Sequence, residues 1–207
     1  MPRGVLFAHN NFPGQFRDLA DTLRARGVEV SAIGQDHAPG MPNVRLARYR
    51  LARGSTAGLF ADAVRAEADL IRARGAWQAA QALKAEGWDP EVVVAHPGWG
   101  EATHLFEAFP GARHVAFAEF YYQGRGFDVG FDTEFFPDTD DDALRIDAKN
   151  AVAAMAYARA DAIVSPTAFQ AGSLAPAFRA RTRIIHEGVD VEAIRPAPPQ
   201  PFALDDG

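Results

Sequence analysis

Three short runs carry residues able to do chemistry at the ends of apolar segments. The first is His9-Asn10-Asn11-Phe12-Pro13-Gly14-Gln15-Phe16. It follows Gly4-Val5-Leu6-Phe7-Ala8, which reads as a buried strand, and leads into a segment where Phe16, Leu19, Ala20 and Leu23 recur at helical spacing. A strand that turns through Pro-Gly into a helix offers backbone N–H groups and a positive dipole end, which favour an anion such as a phosphate. Gly14 lets a ligand approach the backbone, and Pro13 suits a first helical turn. The second run is His96-Pro97-Gly98-Trp99-Gly100-Glu101, after the strand-like Glu91-Val92-Val93-Val94-Ala95. An imidazole at a strand end exchanges hydrogen bonds with hydroxyls. Trp99 either stacks on a ligand ring or packs on the next helix; Glu101 either caps that helix or accepts from hydroxyls. The third is Glu119, behind His114-Val115-Ala116-Phe117-Ala118 and ahead of Phe120-Tyr121-Tyr122. Its carboxylate either anchors a hydroxyl or acts as a base, or else pairs with an arginine.

The elements that must position these runs alternate along the chain. Strands are expected at 28–33, 43–51, 91–96, 114–119, 161–165 and 182–186. A long helical stretch at 57–86 places Phe60, Val64, Leu70, Ile71, Trp77 and Leu83 on an approximate stripe, with Gly75 arguing against one unbroken helix. Further helices are expected at 102–109, at 143–159 (with Leu144, Ala148, Val152 and Met155 on one face) and after Ser165-Pro166-Thr167. Continuous β-branched strands separated by helices imply a Rossmann-like α/β domain: a mostly parallel sheet with helices on both faces. Ligands bind such sheets beyond the carboxyl ends of the strands. The loops at 9–15, 96–101 and 119–126 all leave such ends and are expected to gather on one edge. Pro196, Pro198, Pro199 and Pro201 crowd the last segment, which reads as a linker or tail. The domain is expected at 1–190 and the tail at 191–207.

Composition narrows the choice. The 207 residues carry a formal net charge of -6, which argues against nucleic acid as a partner, and 48% are hydrophobic, enough for a substantial core. There is no cysteine, so disulfides and thiolate metal sites are excluded. No apolar run approaches the roughly 20 residues that cross a bilayer, and Met1-Pro2-Arg3 leads straight into the first strand; a cytoplasmic protein is the expectation.

Val5 to Phe16, Trp88 to Glu101 (through Asp89-Pro90) and Ile184-Ile185-His186-Glu187-Gly188-Val189-Asp190 together resemble the N-terminal half of family-4 glycosyltransferases, retaining enzymes of the two-domain GT-B fold. The resemblance implies that this is one half of a GT-B fold, the acceptor-binding side. It implies a nucleotide-sugar co-substrate held by a C-terminal donor-binding domain, through a spaced glutamate pair that this chain lacks. On that footing 191–207 leads toward the absent domain, and the fragment alone is expected to be inactive. Gly14 and Gln15 would face the donor phosphates. His96 would approach the transferred sugar and, with Glu119, form the catalytic pair. Asn11, Phe12, Gly98, Trp99, Glu101 and Tyr121 would line the acceptor site. No cofactor or metal is implied. The acceptor would be a sugar, lipid or polysaccharide hydroxyl, and the parent a hexosyltransferase-like enzyme.

Other features stay open. Aromatic and acidic residues interleave over 120–142, reading as a flap or a partner surface. Asp138-Thr139-Asp140 superficially matches a metal motif of another glycosyltransferase fold, although Asp141 or Asp142 reads equally as a helix N-cap. Arg45, Arg48, Arg50 and Arg53 would suit a phosphate-bearing acceptor or the inner membrane surface, or form the solvated face of an edge strand. Exposed cleft surface leaves room for self-association. A hydrolase reading lacks its Gly-x-Ser-x-Gly elbow and a dehydrogenase reading lacks Gly-x-Gly-x-x-Gly. A non-catalytic sugar- or nucleotide-binding module remains the alternative.

Overall fold

Val5 and Phe7 bury on one side of the first strand and Leu6 and Ala8 on the other, so this strand lies in the interior of the sheet. A computed structural model describes residues 4–132, 134–135 and 139–196. The elements run β1 (Gly4–Ala8), α1 (Arg17–Ala25), β2 (Glu29–Gln35), β3 (Arg45–Tyr49), α2 (Val64–Ala85), β4 (Val92–Ala95), α3 (Leu105–Ala108), β5 (Arg113–Phe117), α4 (Asp140–Arg159), β6 (Ala162–Ser165), α5 (Ala168–Ser173), α6 (Pro176–Arg179) and β7 (Thr182–Ile184). The seven strands form one parallel sheet in the order β3-β2-β1-β4-β5-β6-β7. The order reverses between β1 and β4, where Ala8 stands opposite Ala95. In open α/β sheets such a reversal leaves a crevice beyond the carboxyl ends of the strands.

Helices cover both faces, as expected. Leu6, Ala8, Ile33, Val93 and Ala95 pack under Ala76, Ala80 and Leu83 of α2 and under Leu105 and Ala108 of α3. On the opposite face Val5, Phe7, Val30 and Ala32 meet Phe12, Phe16 and Ala20. A third cluster joins Ala116 and Ile163 to Ala153 and Tyr157 of α4 and to Leu174. Each fully buried Leu or Phe contributes about 1.5–3 kcal/mol against the entropy of ordering the chain.

Four expectations change. α2 is continuous through Gly75; the glycine serves packing, since a Cβ there would lie 2.5 Å from Cδ2 of Tyr49. A 3₁₀ turn at Ala61–Ala63 precedes α2, which leaves Phe60 outside the helix and 72% exposed. α4 starts at Asp140, with Thr139 as its cap: the Asp142 N–H donates to the Thr139 hydroxyl at 3.2 Å, so neither Asp141 nor Asp142 is the N-cap. β7 ends at Ile184, although the Ile185 N–H still donates to the Ser165 carbonyl at 2.9 Å. Met1 to Arg3, Phe136, Asp138 and the prolines at 198, 199 and 201 lie outside the described residues. Among the described residues no helix is long and apolar enough to cross a membrane.

Candidate active site

His9 follows β1 and His96 follows β4. Parallel pairing of the two strands sets the histidines side by side, with ring centroids 5.3 Å apart and planes at 70°. Both are buried, at 6% and 4% exposure. Each ring accepts a backbone N–H on Nδ1 from two residues further along: Asn11 donates to His9 at 3.0 Å, and Gly98 donates to His96 at 3.2 Å. With Nδ1 accepting, the proton of the neutral ring sits on Nε2. His96 Nε2 lies 3.1 Å from Oε2 of Glu119, two residues past the end of β5, so its N–H donates to that carboxylate. The Gln15 side chain lines the same cleft as His9 and Glu119 and contributes to the pKa of each.

The electrostatics follow from burial and these bonds. Burial, then the charge His96 would carry, lowers the His9 pKa to about 4 against the opposing pull of Glu119 and Gln15, so His9 is neutral at pH 7. The His96 hydrogen bond holds the Glu119 carboxyl below its ordinary range despite partial burial. The Glu119 side chain is 39% exposed while that of His96 is 5% exposed. The arrangement is therefore an ionised carboxylate facing solvent with an imidazole behind it. It opens into a cleft of about 610 Å³, completed by Asn10, Asn11, Gly14, Gln15, His37 and Trp99. A carboxylate so oriented can accept a hydrogen bond from a hydroxyl or take its proton.

The structure brings Asn11, Gly14, Gln15, Trp99 and Glu119 to this rim, sets His96 behind Glu119 with Gly98 bonded to it, and takes other expected residues elsewhere. Phe12 is fully buried and packs 6.2 Å from Phe7, so its ring belongs to the core and not to an acceptor surface. Glu101 is also fully buried; Tyr49 donates its hydroxyl to Oε1 at 2.5 Å, and burial pushes the carboxyl up. It neither caps the following turn nor reaches the cleft. The Tyr121 ring packs on Tyr157 and Phe178, at 6.1 and 6.2 Å. The Tyr122 ring instead lies 5.2 Å from Nζ of Lys149, and burial, then the Asp128 and Glu119 charges, raises its pKa. The Gly14 N–H donates to the Asn11 carbonyl at 3.1 Å, so that amide is occupied within the loop. Gly14 has φ 46°, and a Cβ there would come within 2.8 Å of Cε1 of His9. Its replacement by valine would thus disturb the loop itself, not only a ligand contact.

The profile of the glycosyl transferase family 4 group matches residues 26–194. The chain belongs to this family. No curated protein matches it by sequence. Among solved structures it is similar to a UDP-glucosyltransferase from Polygonum tinctorium (10% identity, TM-score 0.55, covering 97% of this chain and 56% of that one). It is also similar to the catalytic domain of starch synthase IV from Arabidopsis thaliana, bound to ADP and acarbose (14% identity, TM-score 0.54, 93% and 52% covered). A third is Os79 from O. sativa in complex with UDP (12% identity, TM-score 0.53, 87% and 50% covered). The chain spans about half the length of these structures. At such identities the likeness is one of fold, and the expected Rossmann-like half of a GT-B architecture is the fold observed.

For this family-4 chain the remaining sequence features resolve locally. Arg45 pairs with Glu86, Arg50 with Asp36 at 3.2 Å and Arg53 with Glu67 at 2.7 Å, while Arg48 donates to the Asp36 and Ala38 carbonyls. Each of the four arginines has a partner within the protein, while the Arg50 side chain stays 86% exposed. Asp140 pairs with Arg125 in the first turn of α4. Phe127 stacks on Phe169 at 4.6 Å, while Phe131 and Phe135 are 84% and 69% exposed. Sequence alone assigns no role to His9 and His37, which line the cleft, or to Tyr122. For His9 a signal existed: it ends β1 as His96 ends β4.

Proposed function

We propose that this chain is the acceptor-side half of a retaining glycosyltransferase that moves a hexose from a nucleotide-sugar to a hydroxyl. The observation that carries the reading is the His96–Glu119 pair, with the carboxylate turned into a cleft at the strand-order reversal. Glu119 receives the hydrogen bond of the acceptor hydroxyl and sets its oxygen toward the anomeric carbon. The His96 hydrogen bond keeps the carboxylate ionised and fixed in direction, so little reorganisation is needed when the acceptor arrives. Trp99, 39% exposed, offers its face to an acceptor ring. The open wall at Gly14 leaves space for the donor phosphates.

The donor is held by a further domain, whose closure excludes water and assembles the site. Family membership supports sugar transfer, and the UDP and ADP bound to similar folds support a nucleoside diphosphate leaving group. Assays of the complete protein with a panel of nucleotide-sugars and hydroxyl acceptors, the product anomer read by NMR, test the reading. Transfer with retention is expected, falling about a hundredfold or more in His96→Ala, and none is expected from the 207 residues alone. No transfer from any donor would leave the chain a binding module.

A further inference from the structure

The chain has two lysines, and one of them, Lys149 on α4, is almost enclosed, its side chain 14% exposed. Its Nζ donates to Oδ2 of Asp69 at 3.0 Å and to the Gly98 carbonyl at 2.9 Å. It also lies 5.2 Å from the centre of the Tyr122 ring and 5.9 Å from that of Trp99. Asp69, on α2, is 7% exposed and takes a second bond from Arg72 at 3.2 Å. Charge balance alone would be met by these carboxylate contacts. The bond to Gly98 does something else.

Gly98 is the residue whose N–H donates to Nδ1 of His96. The lysine holds its carbonyl and the imidazole holds its amide, so residue 98 is pinned on both sides. The loop has no slack around it. A Cβ at Gly98 would lie 2.7 Å from Cε1 of His96, and one at Gly100, where φ is 100°, would lie 2.1 Å from the Asp69 carbonyl oxygen. The His96 loop therefore lies flat on α2, and α4 clamps it through one ammonium group.

We propose that Lys149 is a positioning residue of the site. By holding Gly98 it fixes the His96 tautomer, and so delivers the Nε2–H to Glu119. Its catalytic meaning rests on the reading of His96 and Glu119 given above; the clamp itself does not.

The test is nitrogen NMR of the 207-residue chain with labelled histidine, which needs no substrate. In the native chain His96 shows one protonated and one unprotonated ring nitrogen. In Lys149→Met the two resonances converge as the tautomers mix. Asp69→Asn breaks the ion pair but keeps the bond to Gly98, and retains the native pattern. Should Lys149→Met fail to fold, Asp69→Asn/Lys149→Met removes both buried charges together and carries the same expectation. In the complete protein Lys149→Met lowers kcat about tenfold to a hundredfold with donor KM unchanged, and Lys149→Arg recovers part of the loss.

A folded Lys149→Met or double variant with the native His96 pattern overturns the proposal. So does Asp69→Asn shifting that pattern as far as Lys149→Met does, because Lys149 would then act only through the ion pair. A tautomer that mixes in Lys149→Met while His96→Ala leaves transfer intact keeps the clamp and refutes the function assigned to His96.

Discussion

His9 and His96 meet edge to face at 5.3 Å across the junction of β1 and β4, each with Nδ1 held by the N–H two residues ahead. His186, just past β7, repeats the pattern with Gly188 at 2.9 Å. The same local turn thus sets an Nε2–H tautomer at three strand ends. At the first two, topology turns it into a site: the strands are neighbours, and Glu119 stands beyond the next one. His96 bonds Glu119 at 3.1 Å, while His9 meets the His96 ring beside it.

Acid destabilisation follows from His9. Its pKa is about 4 in the folded chain against 6.5 when exposed. Between these values the unfolded chain binds a proton that the folded chain does not, so stability falls as pH drops through this window, by up to about 3 kcal/mol. Glu119, held below its ordinary range, adds a contribution that is lost at still lower pH. Urea midpoints at pH 7 and pH 5 should differ less for His9→Gln than for the native chain. Equal differences would contradict the assignment of a buried neutral His9.

Close contact, rather than turn geometry alone, makes Gly100 costly to replace. Gly100→Ala meets both a φ of 100° and the Asp69 backbone, whereas Gly27 has φ 80° and open space around it. The first substitution should cost about 3 kcal/mol or more and lower Tm by roughly 6–12 °C; the second should cost about 1 kcal/mol. Equal losses in thermal melts would show that the loop does not lie on α2 as described.

The fully buried Glu101 depends on Tyr49. Among the described residues its Oε2 has no hydrogen-bond partner, while Oε1 accepts from the Tyr49 hydroxyl at 2.5 Å. Tyr49→Phe should cost about 1–3 kcal/mol by removing the hydroxyl that partners the buried carboxyl, and Glu101→Gln less, since it keeps an acceptor for that hydroxyl. A Tyr49→Phe variant as stable as the native chain in denaturant titration would rule this out.

Strand ends were legible because apolar runs stop at polar residues: His96, Glu119 and the His9 loop all lie where the sequence places them, on one edge of a parallel sheet. The misplaced residues sit where no period helps. Phe12 lies in a loop whose backbone folds its ring back onto Phe7. Tyr121 and Tyr122 follow β5 in irregular backbone, so strand alternation gives no parity to choose between them. Glu101 is drawn inward by Tyr49, far away along the chain, and the Lys149 clamp joins α4 to a loop just as remote. The α4 start did carry a signal, since Thr139 stands three residues before Asp142 in the spacing of a reciprocal cap, but the aspartate run obscured it.

Acceptor-dependent kinetics of Glu119→Gln in the complete protein bear most directly on the central claim, that the carboxylate held by His96 receives the acceptor hydroxyl. Glutamine keeps the shape and an oxygen for His96 but loses the charge. The account predicts kcat/KM for the acceptor lower by about a hundredfold or more, with donor KM unchanged and the fold intact by circular dichroism. A variant with native kcat/KM for the acceptor would contradict it.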